Sequence, residues 1–289
     1  MLFAELEILH ALEDIRTGFL NGLFEFITML GEETILIVLM AIVYFMYDKD
    51  LARRIFFITA TSLLVNCIIK NFVKRPRPFS RGISCVREDT ATGYSFPSGH
   101  TQTFTTWSCA FTLKLKNKAL FSFCVILSLL VGFSRIYLGA HYPTDVIVGL
   151  ALGLFFAWGG NVIYDMVENK NSLYSVVFLL MTPLFIFFTI KPDPLYEDFF
   201  KLYGMFAGFI LAVIFESRYV NLDNNTTTLK KILRIVICVI LALVIKSLLK
   251  TLFISQILAF SLLLDAARYF ILVFMILGLC PLILKKLNM

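Results

Sequence analysis

Nine long, largely apolar runs recur along this chain, near residues 33–47, 52–73, 98–114, 119–139, 144–165, 173–190, 199–218, 231–250 and 266–284. A helix needs about 20 such residues to cross a bilayer, within a range of about 17–25. Inside hydrocarbon the backbone must satisfy its own hydrogen bonds, which a helix does within one segment. The first run is short, with an earlier start available in GLFEFITML at 22–30. The third is polar at its beginning, and the eighth can run on through ISQILAFSLLL at 254–264. Composition agrees: 59% of the residues are hydrophobic, 16% are charged, and 30 of 289 are Phe. A soluble core of this size cannot hide that much apolar surface. The expected fold is all-α, a polytopic transmembrane helix bundle of about nine spans.

The organisation follows from the same pattern. Residues 2–14 read as an amphipathic surface helix, with Leu2, Leu6, Leu9 and Leu12 in one stripe and acids on the other face. Glu5, Glu7, Glu13 and Asp14 stand where a signal peptide would be basic. NLDNNTTT at 221–228 is a polar turn between helices rather than a domain boundary. The division expected is an interfacial segment at 1–24, a core at 25–165 and further membrane helices at 166–289. Five of the six cysteines fall in apolar runs, and their spacing builds neither a disulfide framework nor a zinc site.

The net charge of +6 could suit nucleic acid in a soluble protein. Here the basic residues lie mostly in short gaps between apolar runs. Thirteen of the 26 Lys and Arg fall on the side carrying the gaps at 48–51, 115–118, 166–172, 219–230 and 285–289. Many of the others gather between Lys70 and Arg87 and at Arg135. Setting that cluster aside, the bias marks the first side as cytoplasmic. The opposite side, holding the N-terminus and the gap at 74–97, is then extracytoplasmic.

That gap begins the most polar stretch, KNFVKRPRPFSRGISCVREDTATGYSFPSGH at 70–100. Lys70, Lys74, Arg75, Arg77, Arg81 and Arg87 face only Glu88 and Asp89 in sequence. So many cations beside a membrane need an anionic partner, either lipid headgroups or a bound phosphate. Pro97-Ser98-Gly99-His100 then opens a helix, whose free N–H groups and Ser hydroxyl suit an oxyanion. A His in a first turn is poorly placed against the positive end of the helix dipole unless an anion balances it. Further on, SRIYLGAHYPTD carries Arg135, His141 and Asp145. A carboxylate four residues from a His can fix its tautomer and leave the other nitrogen as a nucleophile. The same pair can also be a buried structural contact at a helix start. The third His, His10, has no assigned role. No carboxylate cluster suited to a metal is visible, and Asp145, Glu88 and Asp89 are the only acids near these motifs in sequence.

KNFVKRPRP, FPSGH and SRIYLGAHYPTD together resemble the three-part signature of the type 2 phosphatidic acid phosphatase superfamily. The matching residues are Lys70, Arg77 and Pro78; Pro97, Ser98, Gly99 and His100; and Ser134, Arg135, His141 and Asp145. The resemblance covers residues 25–165 and leaves the helices after 170 unassigned. Soluble vanadium haloperoxidases share the signature, but this chain is too apolar to be one. The resemblance implies a membrane phosphatase without metal or other cofactor. It makes His141 the nucleophile, Asp145 its orienting partner and His100 the acid and base. It makes Lys70, Arg77, Ser98, Gly99 and Arg135 the phosphate holders. The expected partners are a phosphorylated lipid and the surrounding membrane lipids, with no nucleic acid and the oligomeric state open. A glucose-6-phosphatase-like enzyme shares the helix layout, and a lipid phosphotransferase would use the same chemistry. An anion transporter could use the cations, but it has no need for two aligned His and an Asp.

Overall fold

The computed structural model describes residues 2–253 and 255–289. Met1 and Ile254 lie outside the described residues, as does the side chain of Leu2, one member of the expected leucine stripe. The chain runs α1 (Leu2–Asp14), α2 (Gly18–Thr28), α3 (Glu33–Ile42), α4 (Lys49–Val73), α5 (Gly99–Lys114) and α6 (Lys118–Tyr137). It continues through α7 (Pro143–Met166), α8 (Lys170–Ile190), α9 (Glu197–Phe215), α10 (Thr228–Leu252), α11 (Leu258–Phe274) and α12 (Cys280–Lys286). No strand occurs among the described residues. Several helices begin at a polar residue whose side chain accepts an otherwise unpaired N–H, as Asn117 does from Leu120, Asn169 from Ser172 and Thr227 from Lys230.

Seven of these segments are long and apolar enough to cross a membrane. An eighth is obtained if Gly18–Gly31 and Glu33–Tyr47, bent by 54°, form one broken span. Taken as one span, the pair starts the first expected run earlier, in α2. The stretch after Ile254 does not continue the eighth run, because α10 ends at Leu252 and Leu258 opens α11. The third expected span, 98–114, is α5, which has only 16 residues and is not among those long enough to cross. Its residues Thr101–Ala110 are all buried, many of them polar. The α5 hydroxyls satisfy themselves on the preceding turn, Thr103 on Gly99 O, Thr105 on Thr101 O and Ser108 on Phe104 O, each at 2.7 Å. Gln102 is held by Asn66 at 2.7 Å and by the Ser62 backbone at 2.9 Å. A polar helix of this kind is affordable because its neighbours, and not lipid, surround it.

The chain divides into two compact units. One comprises the residues up to Leu36 with Thr61–Ile163; the other comprises Ile37–Ala60 with Tyr164–Met289. In the first unit, α6 and α7 turn Phe123, Ile126, Phe133, Ile147, Phe155 and Trp158 outward, the pattern of a lipid-facing surface. The N-terminal segment departs from expectation. It holds α1 and the start of α2, and Glu5 of α1 is buried with Leu9 while Phe3 and Ile8 are exposed. The acids therefore do not all share the outer face; Glu5 finds polar partners inside that outweigh the leucine pattern.

In the second unit an aromatic core takes up many of the 30 Phe. Phe56 stacks on Phe209, Phe185 on Tyr203, and Phe188 packs edge-on against Phe199. Helices α9 and α11 approach so closely that a Cβ on Gly204 would lie 1.9 Å from the Ala266 carbonyl oxygen. Gly204→Ala is accordingly expected to destabilise this unit by at least the ~1–3 kcal/mol typical of overpacking. A drop in the detergent-solubilised melting temperature relative to Gly18→Ala, at an open position, checks it.

Candidate active site

All eight residues singled out in sequence fall in the first unit. Lys70 lies in the last turn of α4, Ser98 and Gly99 open α5 with His100, Arg135 lies in the last turn of α6, and His141 and Asp145 flank the start of α7. Helix ends bring them together from three separate motifs. A Cβ on Gly99 would sit 3.7 Å from Lys70 Nζ, so the ammonium stands at the start of α5. His100 lies within electrostatic reach of Arg135, His141, Lys70 and Arg77.

Arg77 is the main tie. Its Nε donates to Gly93 O at 3.0 Å, Nη1 to Ala140 O at 2.9 Å, and Nη2 to Thr92 O. Nη1 also stands 3.1 Å from His141 Nε2. A guanidinium can only donate, so Nε2 accepts with its lone pair and the neutral ring carries its proton on Nδ1. That Nδ1 faces Asp145 Oδ2 at 3.5 Å. Burial pushes the His141 pKa well below the ordinary imidazole value, and the Arg77, Arg135 and Lys70 charges push the same way. The ring is therefore neutral at pH 7, the form that a nucleophile requires.

Asp145 is fully buried and heavily held. Ser95 Oγ donates to Oδ2 at 2.5 Å, the Tyr142 amide reaches the same oxygen at 2.9 Å, and Arg75 Nη1 reaches Oδ1 at 2.6 Å. Ser95 Oγ also lies 3.4 Å from His141 Nδ1. The Asp145 carbonyl accepts from the Ser98 amide at 2.9 Å. This amide joins the second and third motifs, and the N–H groups expected to suit an oxyanion are those of the helix that follows it. The Ser98 hydroxyl pairs with Thr101 Oγ1 at 2.9 Å. Gly149 of α7 lets the junction close, because a Cβ there would lie 2.8 Å from Ser98 O.

Arg135 is completely buried. Its Nη1 touches Thr28 Oγ1 at 3.1 Å and Thr90 Oγ1 at 3.3 Å. Its Nε and Nη2 make no hydrogen bond, nor does His100 Nε2. Buried polar groups are almost always paired, so these three atoms, on two residues within electrostatic reach of each other, are candidates for holding an anion.

Residues 51–172 match the PAP2 superfamily, and residues 200–289 match the PAP2 superfamily phosphatase transmembrane extension. The chain is 32% identical over 156 residues to phosphatidylglycerophosphatase B of Bacillus subtilis (strain 168), covering 48% of this chain and 73% of that protein. This chain belongs to the PAP2 superfamily. It is also 26% identical over 183 residues to Homo sapiens sphingosine-1-phosphate phosphatase 2, covering 60% of this chain but only 45% of that one. Among solved structures, it resembles the crystal structure of a Bacillus subtilis PAP2-type phosphatidylglycerolphosphate phosphatase. The TM-score is 0.50 at 27% identity, with 57% of this chain and 87% of that chain covered.

Beyond the PAP2 signature, the structure adds Ser95, Arg75, Thr28, Thr90 and Glu5 to the site. To Asp145, Glu88 and Asp89, the acids near the motifs in sequence, the fold adds two more. Glu5 reaches the Arg75 guanidinium at 2.6 Å, and Glu32 reaches Arg87 at 3.2 Å; both come from segments remote in sequence. Ser95 lay inside the polar stretch, two residues before the Pro-Ser-Gly-His motif, and a hydroxyl beside a His–Asp pair was its one available signal. Among the described residues no three His, Cys, Asp or Glu side chains gather to hold a metal ion. A hydrogen bond to a charged group is worth about 1.5–3 kcal/mol. Ser95→Ala is thus expected to lower kcat for phosphate release by about tenfold or more, with KM little changed; unchanged kcat would show that Ser95 does not support the pair.

Proposed function

We propose that this chain hydrolyses the phosphate monoesters or diphosphates of membrane lipids through a phosphohistidine at His141. The observation that carries the reading is the set of unused buried donors on Arg135 and His100, beside a neutral imidazole whose Nε2 lone pair is fixed by Arg77. Phosphoryl transfer spreads charge over three equatorial oxygens, so fixed cations and positioning supply most of the catalysis. Lys70, Arg77 and Arg135, with the Ser98–Gly99 end of α5, take those oxygens. As the phosphoryl group enters, Arg77 Nη1–H turns from His141 Nε2 to an oxygen and exposes the lone pair. His141 Nε2 then attacks phosphorus, the bond to the leaving oxygen breaks, and His100 protonates that oxygen. Asp145 accepts the Nδ1–H and stabilises the charged ring. Water next attacks phosphorus, giving its proton to His100, and the P–N bond breaks.

Two things support a lipid substrate. The outward faces of α6 and α7 are apolar, and the relatives are named for phosphatidylglycerophosphate and sphingosine-1-phosphate. In this reading residues 25–165 carry the chemistry, 1–24 lie at the interface and 166–289 are accessory. The site opens to the extracytoplasmic side, because the basic residues outside the site favour the other face as cytoplasmic.

His141→Ala is expected to abolish phosphate release from a panel of purified lipid phosphates, whereas His100→Ala leaves a slow residue with a good leaving group. Activity should persist in excess EDTA and yield to vanadate, which can adopt the five-coordinate geometry. Near-normal turnover in His141→Ala sinks the mechanism.

Orientation has its own test. With Cys85 replaced, a single cysteine in the 79–94 loop should react with an impermeant thiol reagent on intact cells. One at Lys116, in the turn between α5 and α6, should be spared. Labelling of the second alone reverses the assignment.

A further inference from the structure

Helix α1 is fastened to the catalytic loops by two polar latches. Near its end, Glu13 accepts from the Ser84 amide at 3.0 Å and from the Ser84 hydroxyl, and Arg16 donates to Tyr137 O and Ser84 O, both at 2.9 Å. Near its start, the buried Glu5 reaches the site itself. Glu5 Oε1 accepts from the Thr144 amide at 3.0 Å and the Thr144 hydroxyl at 2.6 Å, while Oε2 accepts from Arg75 Nη2 at 2.6 Å. Arg75 Nη1 donates to both Thr144 Oγ1 and Asp145 Oδ1, each at 2.6 Å. One guanidinium therefore bridges two carboxylates, with its plane fixed by Tyr142, whose ring centre lies 3.9 Å from the Arg75 carbon.

The arrangement exceeds what docking α1 requires. Leu9 already packs α1 against Ile83 and Tyr142, and an interfacial helix needs no buried carboxylate. A buried charge is costly unless it is paired and hydrogen-bonded. Burial by itself raises the Glu5 pKa, yet the Thr144 and Arg75 contacts outweigh it and lower the pKa. Glu5 is thus held ionised, and an ionised Glu5 aims Arg75. Arg75 in turn occupies Asp145 Oδ1, leaving Oδ2 as the oxygen that faces the imidazole.

We propose that Glu5, on the N-terminal interfacial helix, is a positioning residue for the Asp145 carboxylate and acts through Arg75 and Thr144. The proposal rests on the His141–Asp145 reading above. It adds that the pair is completed by a residue 140 positions away in sequence, outside the three motifs. Without Glu5, Arg75 can leave Oδ1, and the carboxylate can rotate off the imidazole.

The test measures phosphate release by the full chain in mixed micelles, with a lipid phosphate that the wild type turns over. Partners that orient a functional group from behind are worth about 10–100-fold. Glu5→Gln should lower kcat about tenfold and leave KM within about twofold. Glu5→Asp should recover part of the loss, and Glu7→Gln, on the exposed face of α1, should match wild type. Arg75→Gln should lower kcat at least as much as Glu5→Gln. The Glu5→Gln/Arg75→Gln double variant should be no worse than Arg75→Gln alone, because both act on one linkage. If Glu5→Gln does not fold, Thr144→Val removes one arm of the latch and should still lower kcat with KM preserved. Wild-type kcat in Glu5→Gln, a loss confined to KM, or losses that multiply in the double variant would each overturn the proposal. A residual activity in His141→Ala equal to wild type would instead defeat the underlying mechanism, so the two failures are distinguishable.

Discussion

Burying positive charge among apolar helices is the constraint on which the catalytic unit depends. Arg135 is fully buried at the end of α6, Arg77 and Lys70 are nearly so, and His100 and His141 stand among them. Taking an ion out of water costs several kcal/mol even after relaxation (about 20 in the idealised limit), and like charges add to it. Local carbonyls and hydroxyls offset part of that cost: Thr92, Gly93 and Ala140 for Arg77, and Thr28 and Thr90 for Arg135. The remaining donors on Arg135 and His100 are unspent. On the proposed function, a doubly charged phosphoryl group supplies both the acceptors and the negative charge. On the same proposal, affinity for the reacting group is built into the electrostatics of the fold, and it grows as charge develops on the equatorial oxygens.

The same constraint explains α5. A helix beside this cluster cannot be apolar, because its body must pair with Asn66 and Ser62. It cannot face lipid either, because Gln102 and its threonines would be unsolvated there. It is therefore short, polar and enclosed, with its hydroxyls turned back on their own carbonyls. Hydropathy reads it weakly as a span for that reason, although its position as a helix is plain from the Ser98 start and the length of the run that follows.

Legibility divides along the same lines. The helices could be read because each is a long apolar run bounded by charges, and their expected and observed limits agree to within a few residues for α4 to α8. The proposed nucleophile, its proposed partner and the three cations could be singled out because each lies inside a motif with fixed spacing. Glu5 could not, since nothing in LFAELEILHALED distinguishes it from Glu7, and period alone turned it toward solvent. Only the fold shows that Arg75 has two carboxylates to serve. Ser95 was hidden likewise, because its hydroxyl acquires meaning only when the fold brings it against His141 and Asp145. Nor did sequence show that the Ser98 amide is spoken for.

That last bond has a mechanistic consequence. The Ser98 N–H donates to the carbonyl of Asp145, and Ser98 is the residue from which α5 starts and two before His100. The proposed nucleophile and the proposed acid are therefore not held independently. One backbone hydrogen bond sets the start of α5 against the start of α7, and Gly149 removes the side chain that would wedge them apart. Phosphoryl transfer requires attacking and leaving groups roughly in line, which a single rigid junction secures better than two side chains on separate loops. On the proposed function, the Ser98 amide serves the reaction by setting the start of α5, and with it His100, against α7, and the later amides of the first α5 turn are the ones available to a phosphate.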